Sequence, residues 1–502
     1  MTHLKKLSLV GILFLCSLAI SAQTTISLER STPEAEGISS EAILSFVELA
    51  EKEIDAIHSF MILRHGKVIS EGWWDPYGSS TPHVMHSLSK LFTSSAIGFA
   101  VQEGLLSLDD KVISFFPEET PSKPGWQLNA LRIRQLLTMD TGHIQEPSWS
   151  FLASDNWVKT FLDSKFELSP GTHFVYNSAA SHMLSAILQK ESGQKMVDFL
   201  EPRLFKPLGI KKPYWESDPQ GINKGGWGLH ITTEDIAKLG QLYLQKGNWN
   251  GKQLLKKEWV DMATSRQVSN GSDPDNDWNQ GYGFQFWISR HGFRGDGAAG
   301  QFCLVIPEHD IVVAITAGTG NMGAEMELVW NILLPAAKDK ALPENPQAYS
   351  ELEQKTASLK LKPVEGDVTN PLAKKTRKKK FAIPTNEQGV KSIAFDLGKK
   401  KNSITIEMEH GIEVIPIGSG EFIKSDLKKH VPYTEKLVKN IAASGAWIAP
   451  DQYQLKMYHY GAQERLTYTF RFKDDEVVWN SKLEFTMFGP RTQSQLLGKS
   501  IK

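Results

Sequence analysis

A serine and a lysine three residues apart, in Ser87-Leu88-Ser89-Lys90, are the side chains of this chain best placed to do chemistry together. In a helix that spacing puts both on one face, so the amine can reach the hydroxyl. Leu91, Phe92, Ala96, Phe99 and Ala100 follow at core-facing intervals, so a helix is expected over residues 87–103 with the serine at its start. There the positive helix end and partial burial disfavour an ammonium and make a neutral, proton-accepting lysine accessible. The free N–H groups of the same turn favour a developing anion. The chemistry is that of an activated serine nucleophile. Spacing alone does not select it, because Ser192/Lys195 and Ser425/Lys428 share it.

The surroundings of the first pair are distinctive. His83-Val84-Met85-His86-Ser87 leads into it, and Glu103-Gly104-Leu105-Leu106-Ser107-Leu108-Asp109-Asp110 and Leu136-Leu137-Thr138-Met139-Asp140-Thr141-Gly142-His143 follow. Further on come Pro170-Gly171-Thr172-His173-Phe174-Val175-Tyr176-Asn177-Ser178, Leu204-Phe205-Lys206-Pro207-Leu208-Gly209-Ile210, Gly225-Gly226-Trp227-Gly228-Leu229 and Asp296-Gly297-Ala298-Ala299-Gly300-Gln301. In this order the blocks resemble the β-lactamase-related serine hydrolases: class C β-lactamases, penicillin-binding proteins, esterases and 6-aminohexanoate-dimer-hydrolase-like enzymes. The resemblance implies an α/β (α+β) fold, with an antiparallel sheet flanked by helices and a helical subdomain forming the other wall of a cleft. It also implies Ser87 as nucleophile, a Lys90/Tyr176 pair that moves its proton, and an oxyanion hole from the backbone N–H groups of Ser87 and Gln301. A phenol ionises near about 10, so Tyr176 would need the nearby Lys90 cation to act as a base.

Two departures from the family pattern bear on substrate. The usual Tyr-x-Asn is here Tyr176-Asn177-Ser178, which makes Ser178 the candidate substrate contact. The usual Lys-Thr-Gly or His-x-Gly is Ala298-Ala299-Gly300, so the cation that helps hold the carboxylate of a β-lactam or a D-Ala-D-Ala terminus is missing. Arg290 or Arg294 could replace it. Asp296 is a candidate substrate contact, although a carboxylate bonding turn amides between two glycines is the commoner role. His143 is a candidate cleft residue. His83 and His86 lack the further ligands of a metal site and read as loop residues. Trp73, Trp74, Trp227 and Trp287 suit a cleft wall or the core equally.

The expected reaction is hydrolysis of a small-molecule ester or amide through an acyl-Ser87 intermediate, with no metal or organic cofactor. D-Ala peptidase or β-lactamase action on the same fold is the alternative, and a catalytically silent glycan- or cell-wall-binding protein is another. An α/β-hydrolase is disfavoured because no Gly-x-Ser-x-Gly elbow is present.

These residues need a scaffold, and 502 residues suffice for two or three domains. With 40% apolar and 23% charged residues the chain is of ordinary globular composition, and a net charge of -1 gives no reason to expect a nucleic-acid partner. Residues 1–22, with Lys5-Lys6, an apolar run and Ser21-Ala22, read as a signal peptide, so export to the periplasm or medium after cleavage near Ala22 is expected. The apolar run is shorter than the roughly 20 residues of a spanning helix, so no stable anchor is expected. Cleavage leaves Cys303 without a disulfide partner, in a segment that reads as a buried strand. Residues 26–337 are assigned to the hydrolase-like domain, with early strands at 59–63 and 67–71 and late ones at 300–306 and 311–316. Residues 338–365 form a linker with a short helix at 349–361. Residues 366–502 form a small antiparallel all-β domain with strands at 390–397, 403–408 and 466–472, and its glycan or cell-wall contact is an expectation. The basic run at 374–380 lacks interleaved aromatic residues and reads as a solvated connector.

Overall fold

The hairpin expected at Arg64-His65-Gly66 forms one side of a six-stranded antiparallel sheet. The structure is a computed structural model and describes residues 27–211, 213–377, 379–398, 401–429, 431, 440–484 and 493–501. The signal-peptide reading falls outside these residues, and among them no helix is long and apolar enough to cross a membrane.

The strands are β1 (Ile57–Arg64), β2 (Lys67–Trp73), β3 (Trp287–Ile288), β4 (Phe293–Gly297), β5 (Gln301–Ile306) and β6 (Ile311–Ala317), in the spatial order β2-β1-β6-β5-β4-β3. The first and last parts of the domain therefore meet at the centre of the sheet, where Phe60 lies opposite Ile315. The segment between them is mostly helical, with a small three-stranded sheet (His83–Val84, Leu229–Ile231 and Tyr214–Trp215) and a two-stranded one (Asn248–Trp249 and Lys252–Gln253).

Strand alternation divides the apolar residues between two faces. Phe302, Leu304 and Ile306 point to one face, where helix α1 (Ser40–Glu53) covers them with Ile43, Phe46, Val47 and Ala50. Ser39 caps that helix by accepting from the Ala42 N–H. Cys303, Val305, Val312 and Ala314 point to the other face, against helices α2 (Ser89–Gln102) and α4 (Thr233–Leu244). Helix α3 (Ser178–Ser192) packs on α2 from outside. Cys303 is fully buried, as its neighbours suggested, and burial pushes its thiol up to about 12.

Helix α2 begins two residues later than expected. His86 has φ +46°, outside the helical region, so His86–Leu88 form a tight turn before regular helix starts at Ser89. Ser87 thus stands on a turn in front of the helix. The helix expected at 349–361 is α5 (Pro346–Ala357): Asn345 caps it, Pro346 fits its first turn, and Leu359 and Leu361 leave it to bond the Asp75 backbone. Helix α5 packs on α1.

Among the described residues the C-terminal part is a ten-stranded sheet whose successive neighbours pair antiparallel, closed into a β-barrel by a parallel bridge between Gly418 and Ser444. Its aromatic core includes Phe381, Phe395, Phe470 and Trp479. Two of its strands, β7 (Gln452–His459) and β8 (Arg465–Lys473), form a hairpin whose tip reaches back to the first domain. The basic run carries ion pairs from Arg377 to Asp396, Lys379 to Asp475 and Lys380 to Glu407.

Gly240 lets α4 lie directly on the sheet. A Cβ there would stand 2.6 Å from Val312 Cγ1 and 2.9 Å from Cys303 Sγ. Gly240→Val is expected to destabilise the fold by about 1–3 kcal/mol through overpacking, read as a lower urea midpoint at unchanged slope.

Candidate active site

Lys90 is 1% exposed and its Nζ reaches three oxygens: Ser87 Oγ at 3.0 Å, Ser178 Oγ at 3.2 Å and the Gly226 carbonyl at 2.8 Å. Burial drives the amine down to about 7, against the opposing pull of Glu146 and Asp296. Helix α2 holds the surrounding wall with polar side chains along one side. Thr93 Oγ1 donates to the Gly225 carbonyl at 2.6 Å, and Ser89 Oγ accepts from Leu229 N–H at 3.2 Å.

Tyr176 joins from the start of α3. Asn177 caps that helix by accepting from Ala180 N–H, which leaves Tyr176 just outside it and Ser178 in its first turn, both beside Lys90. The middle residue of the altered motif is therefore spent on capping. The Tyr176 ring stacks on Trp287 at 5.1 Å, Lys90 Nζ lies 4.7 Å from its centroid, and its hydroxyl is hydrogen-bonded to Ser87. This corrects the expected proton sharing between lysine and phenol. The amine lies over the ring, and burial raises the phenol well above its ordinary value. Lys90 is the member of the pair poised near neutrality.

The third side is backbone. Strand β4 approaches so closely that a side chain at Gly295 would collide with Leu91, and one at Gly297 with the Met85 carbonyl. The next turn has Ala299 at φ +69° and Gly300 at φ +89°, and Gln301 Nε2 braces it by donating to the Ala298 and Ala317 carbonyls. The beginning of β5 at Gln301 consequently lies beside the Ser87 turn.

A Beta-lactamase family model matches residues 54–335, more than half of the 502 residues. The chain belongs to the beta-lactamase family of serine hydrolases. The 6-aminohexanoate-dimer hydrolase of Paenarthrobacter ureafaciens is 22% identical over 281 residues, covering 51% of this chain and 71% of that protein. The beta-lactamase of Escherichia coli K12 is 24% identical over 232 residues, covering 42% and 58%. A solved Bacillus anthracis structure, described as a candidate 6-aminohexanoate-dimer hydrolase, superposes with a TM-score of 0.53 at 21% identity over 63% of this chain and 89% of that one. It shares the fold.

In this beta-lactamase-family hydrolase several expected site residues have other duties. The Asp296 carboxylate pairs with Arg294 at 3.1 Å and accepts from Trp278 Nε1 at 3.0 Å, in place of the expected turn amides. Arg294 is fully buried and also donates to Ser289 Oγ, while Arg290 pairs with Asp277 and Glu327. Neither arginine supplies the missing third-motif cation. His143 does not line the cleft: its ring nitrogens bond Thr141 Oγ1 and Ser164 Oγ, and burial lowers it to about 4. His83 bonds His58 at 3.0 Å, and burial brings it to about 3. Among the described residues no cluster of acidic, His and Cys side chains could hold a metal. Trp287 supports Tyr176, whereas Trp74 is core.

Two acidic residues went unread in the sequence. Glu146 accepts the Ser178 N–H at 2.5 Å, and Glu325 lies buried where any side chain on Gly300 would strike it. No motif surrounds either; only the fold brings them to the site. The barrel's β7–β8 tip was equally invisible. Val84 N–H donates to the Gly461 carbonyl at 2.8 Å, Tyr77 Oη donates to the Ala462 carbonyl at 2.9 Å, and Gln463 Oε1 bonds His86 Nε2 at 2.7 Å. The residue before Ser87 is thus held by the C-terminal domain.

The Lys90 side chain, followed by NMR of its Cε–Hε signals, is expected to titrate near pH 7 and not near its ordinary 10.5. Gln463→Ala is expected to slow Ser87 acylation about five-fold, the equivalent of one hydrogen bond, with the barrel's own unfolding transition unchanged in calorimetry.

Proposed function

We propose that this chain cleaves esters or amides of small molecules through an acyl-Ser87 intermediate. The buried Lys90 amine, 3.0 Å from Ser87 Oγ, carries the reading. The Gly226 carbonyl can only accept a hydrogen bond, so it holds one amine hydrogen, and Ser178 Oγ can accept the other. The lone pair of neutral Lys90 is then left for the Ser87 proton.

As Lys90 takes that proton, Ser87 Oγ adds to the substrate carbonyl, and the negative oxygen forms against the Ser87 and Gln301 N–H groups. Collapse breaks the bond to the leaving alcohol or amine, which takes the proton back from Lys90, with the Tyr176 hydroxyl at Ser87 available to relay it. Water then adds to the acyl-serine, Lys90 accepts its proton and returns it to Ser87 Oγ, and the acid leaves. Among the described residues neither Arg290 nor Arg294 is available to grip a β-lactam or D-Ala carboxylate, which favours other esters and amides over the β-lactamase and carboxypeptidase reading. The Lys5-Lys6 and apolar pattern supports action outside the cytoplasm.

A fluorophosphonate probe is expected to label the mature protein covalently and not Ser87→Ala; equal labelling of both sinks the assignment. Because the proton acceptor is neutral Lys90, the labelling rate is expected to rise with pH through about 7 and to level off above it. A rate flat from pH 5 to 9 would remove Lys90 from the role.

A further inference from the structure

The mouth of the site carries a carboxylate that the acyl-transfer scheme does not use. Glu146 Oε1 accepts from the Ser178 backbone N–H at 2.5 Å, and Ser178 Oγ is in turn 3.2 Å from Lys90 Nζ. Glu146 therefore stands one residue's width from the amine that activates Ser87. Asp296 and Lys90 are buried, whereas Glu146 is half-buried and so keeps part of its surface open to solvent.

Among the described residues no lysine or arginine forms an ion pair with Glu146. The nearby cations are committed: Arg294 to Asp296, Arg290 to Asp277 and Glu327, and Lys224 to Glu216 at 2.7 Å. In the state that attacks, Lys90 is neutral. The Asp296 charge is balanced by Arg294, so the uncompensated charge at Ser87 is that of Glu146. A half-buried carboxylate with no ion-pair partner attracts an ammonium and repels a second carboxylate. The alanines of Ala298-Ala299-Gly300 offer no cation to reverse this preference.

A purely structural duty for Glu146, as counter-charge to the start of α3, is the competing account. That helix is already capped by Asn177, which accepts from Ala180 N–H at 3.0 Å. A glutamine at 146 would still accept from Ser178 N–H while removing the charge, so the two accounts can be separated.

Resting on the acyl-Ser87 reading, we infer that Glu146 is a specificity-determining residue forming an ammonium subsite, and that the substrates are esters or amides carrying a primary amine close to the scissile bond. Substrate binding puts the ammonium against the Glu146 carboxylate, and no bond is made or broken there.

The test uses the full chain and matched p-nitroanilides and p-nitrophenyl esters with an ammonium, its neutral N-acetyl form or a carboxylate in the acyl part, and a second set of amides with the same groups in the leaving amine. The wild type is expected to prefer the ammonium member over its neutral form in one set by about ten- to a hundred-fold in kcat/KM, the range of a charged hydrogen bond. Glu146→Gln is expected to remove most of that ratio, and Glu146→Asp to restore part of it. No ammonium preference in either set, or a preference that survives Glu146→Gln, overturns the subsite. Ser87-dependent labelling of the wild type by a neutral fluorophosphonate is measured alongside: its presence leaves the subsite as the idea under test, and its absence is a failure of the acyl-enzyme reading itself.

Discussion

An amine that water would keep charged is held here in a place from which water has been removed, and much of the first domain serves that one burial. Taking an ammonium out of water costs several kcal/mol, so the group becomes neutral near pH 7 and keeps its hydrogen bonds with Ser87, Ser178 and the Gly226 carbonyl. The enclosure is made of unlike materials. The Tyr176 ring covers one side of Lys90, and Trp287 backs that ring. The backbone of Gly225 and Gly226 closes another side, lying so near to α3 that a Cβ on Gly226 would be 2.9 Å from the Ser178 carbonyl.

The same crowding explains why bare backbone recurs around Ser87. Gly295 and Gly297 let β4 lie against Leu91 and the Met85–Leu88 turn, and Gly300 leaves room for the Glu325 carboxyl. Burial holds the Glu325 carboxyl well above the ordinary carboxylate range, under the turn that precedes Gln301. Small residues here set distances between elements. The barrel adds a support of a different kind: Gly461, Ala462 and Gln463 bond Val84, Tyr77 and His86, so a hairpin nearly 400 residues away in sequence fixes the segment just ahead of Ser87.

Charge is arranged with equal economy. Arg290 and Arg294 each answer an aspartate, and two of the buried histidines bond neutral partners, His83 with His58 and His143 with Thr141 and Ser164. Beside Ser87 stand a lysine near neutrality and the half-buried Glu146 carboxylate.

The sequence by itself determined the Ser87–Lys90 pair, the helix that carries Lys90 and the strands that frame it, because these depend on short-range patterns: the three-residue spacing, the apolar positions of α2 and the apolar runs of β5 and β6. The turn that sets Ser87 ahead of the helix was decided by the tertiary fold. The ordered landmarks likewise carried the family, with Tyr176 and Gln301 among them. Tertiary structure decided what those residues face. Phenol ionisation depends on burial and on which atom Lys90 approaches, and neither is written in Tyr176-Asn177-Ser178. Asp296 and His143 looked available until Arg294, Trp278, Thr141 and Ser164 were brought to them across the fold. Glu146 and Gln463 carry no local signature, since a lone acid before a proline and a glutamine at a hairpin tip acquire meaning only from the partner that long-range packing supplies.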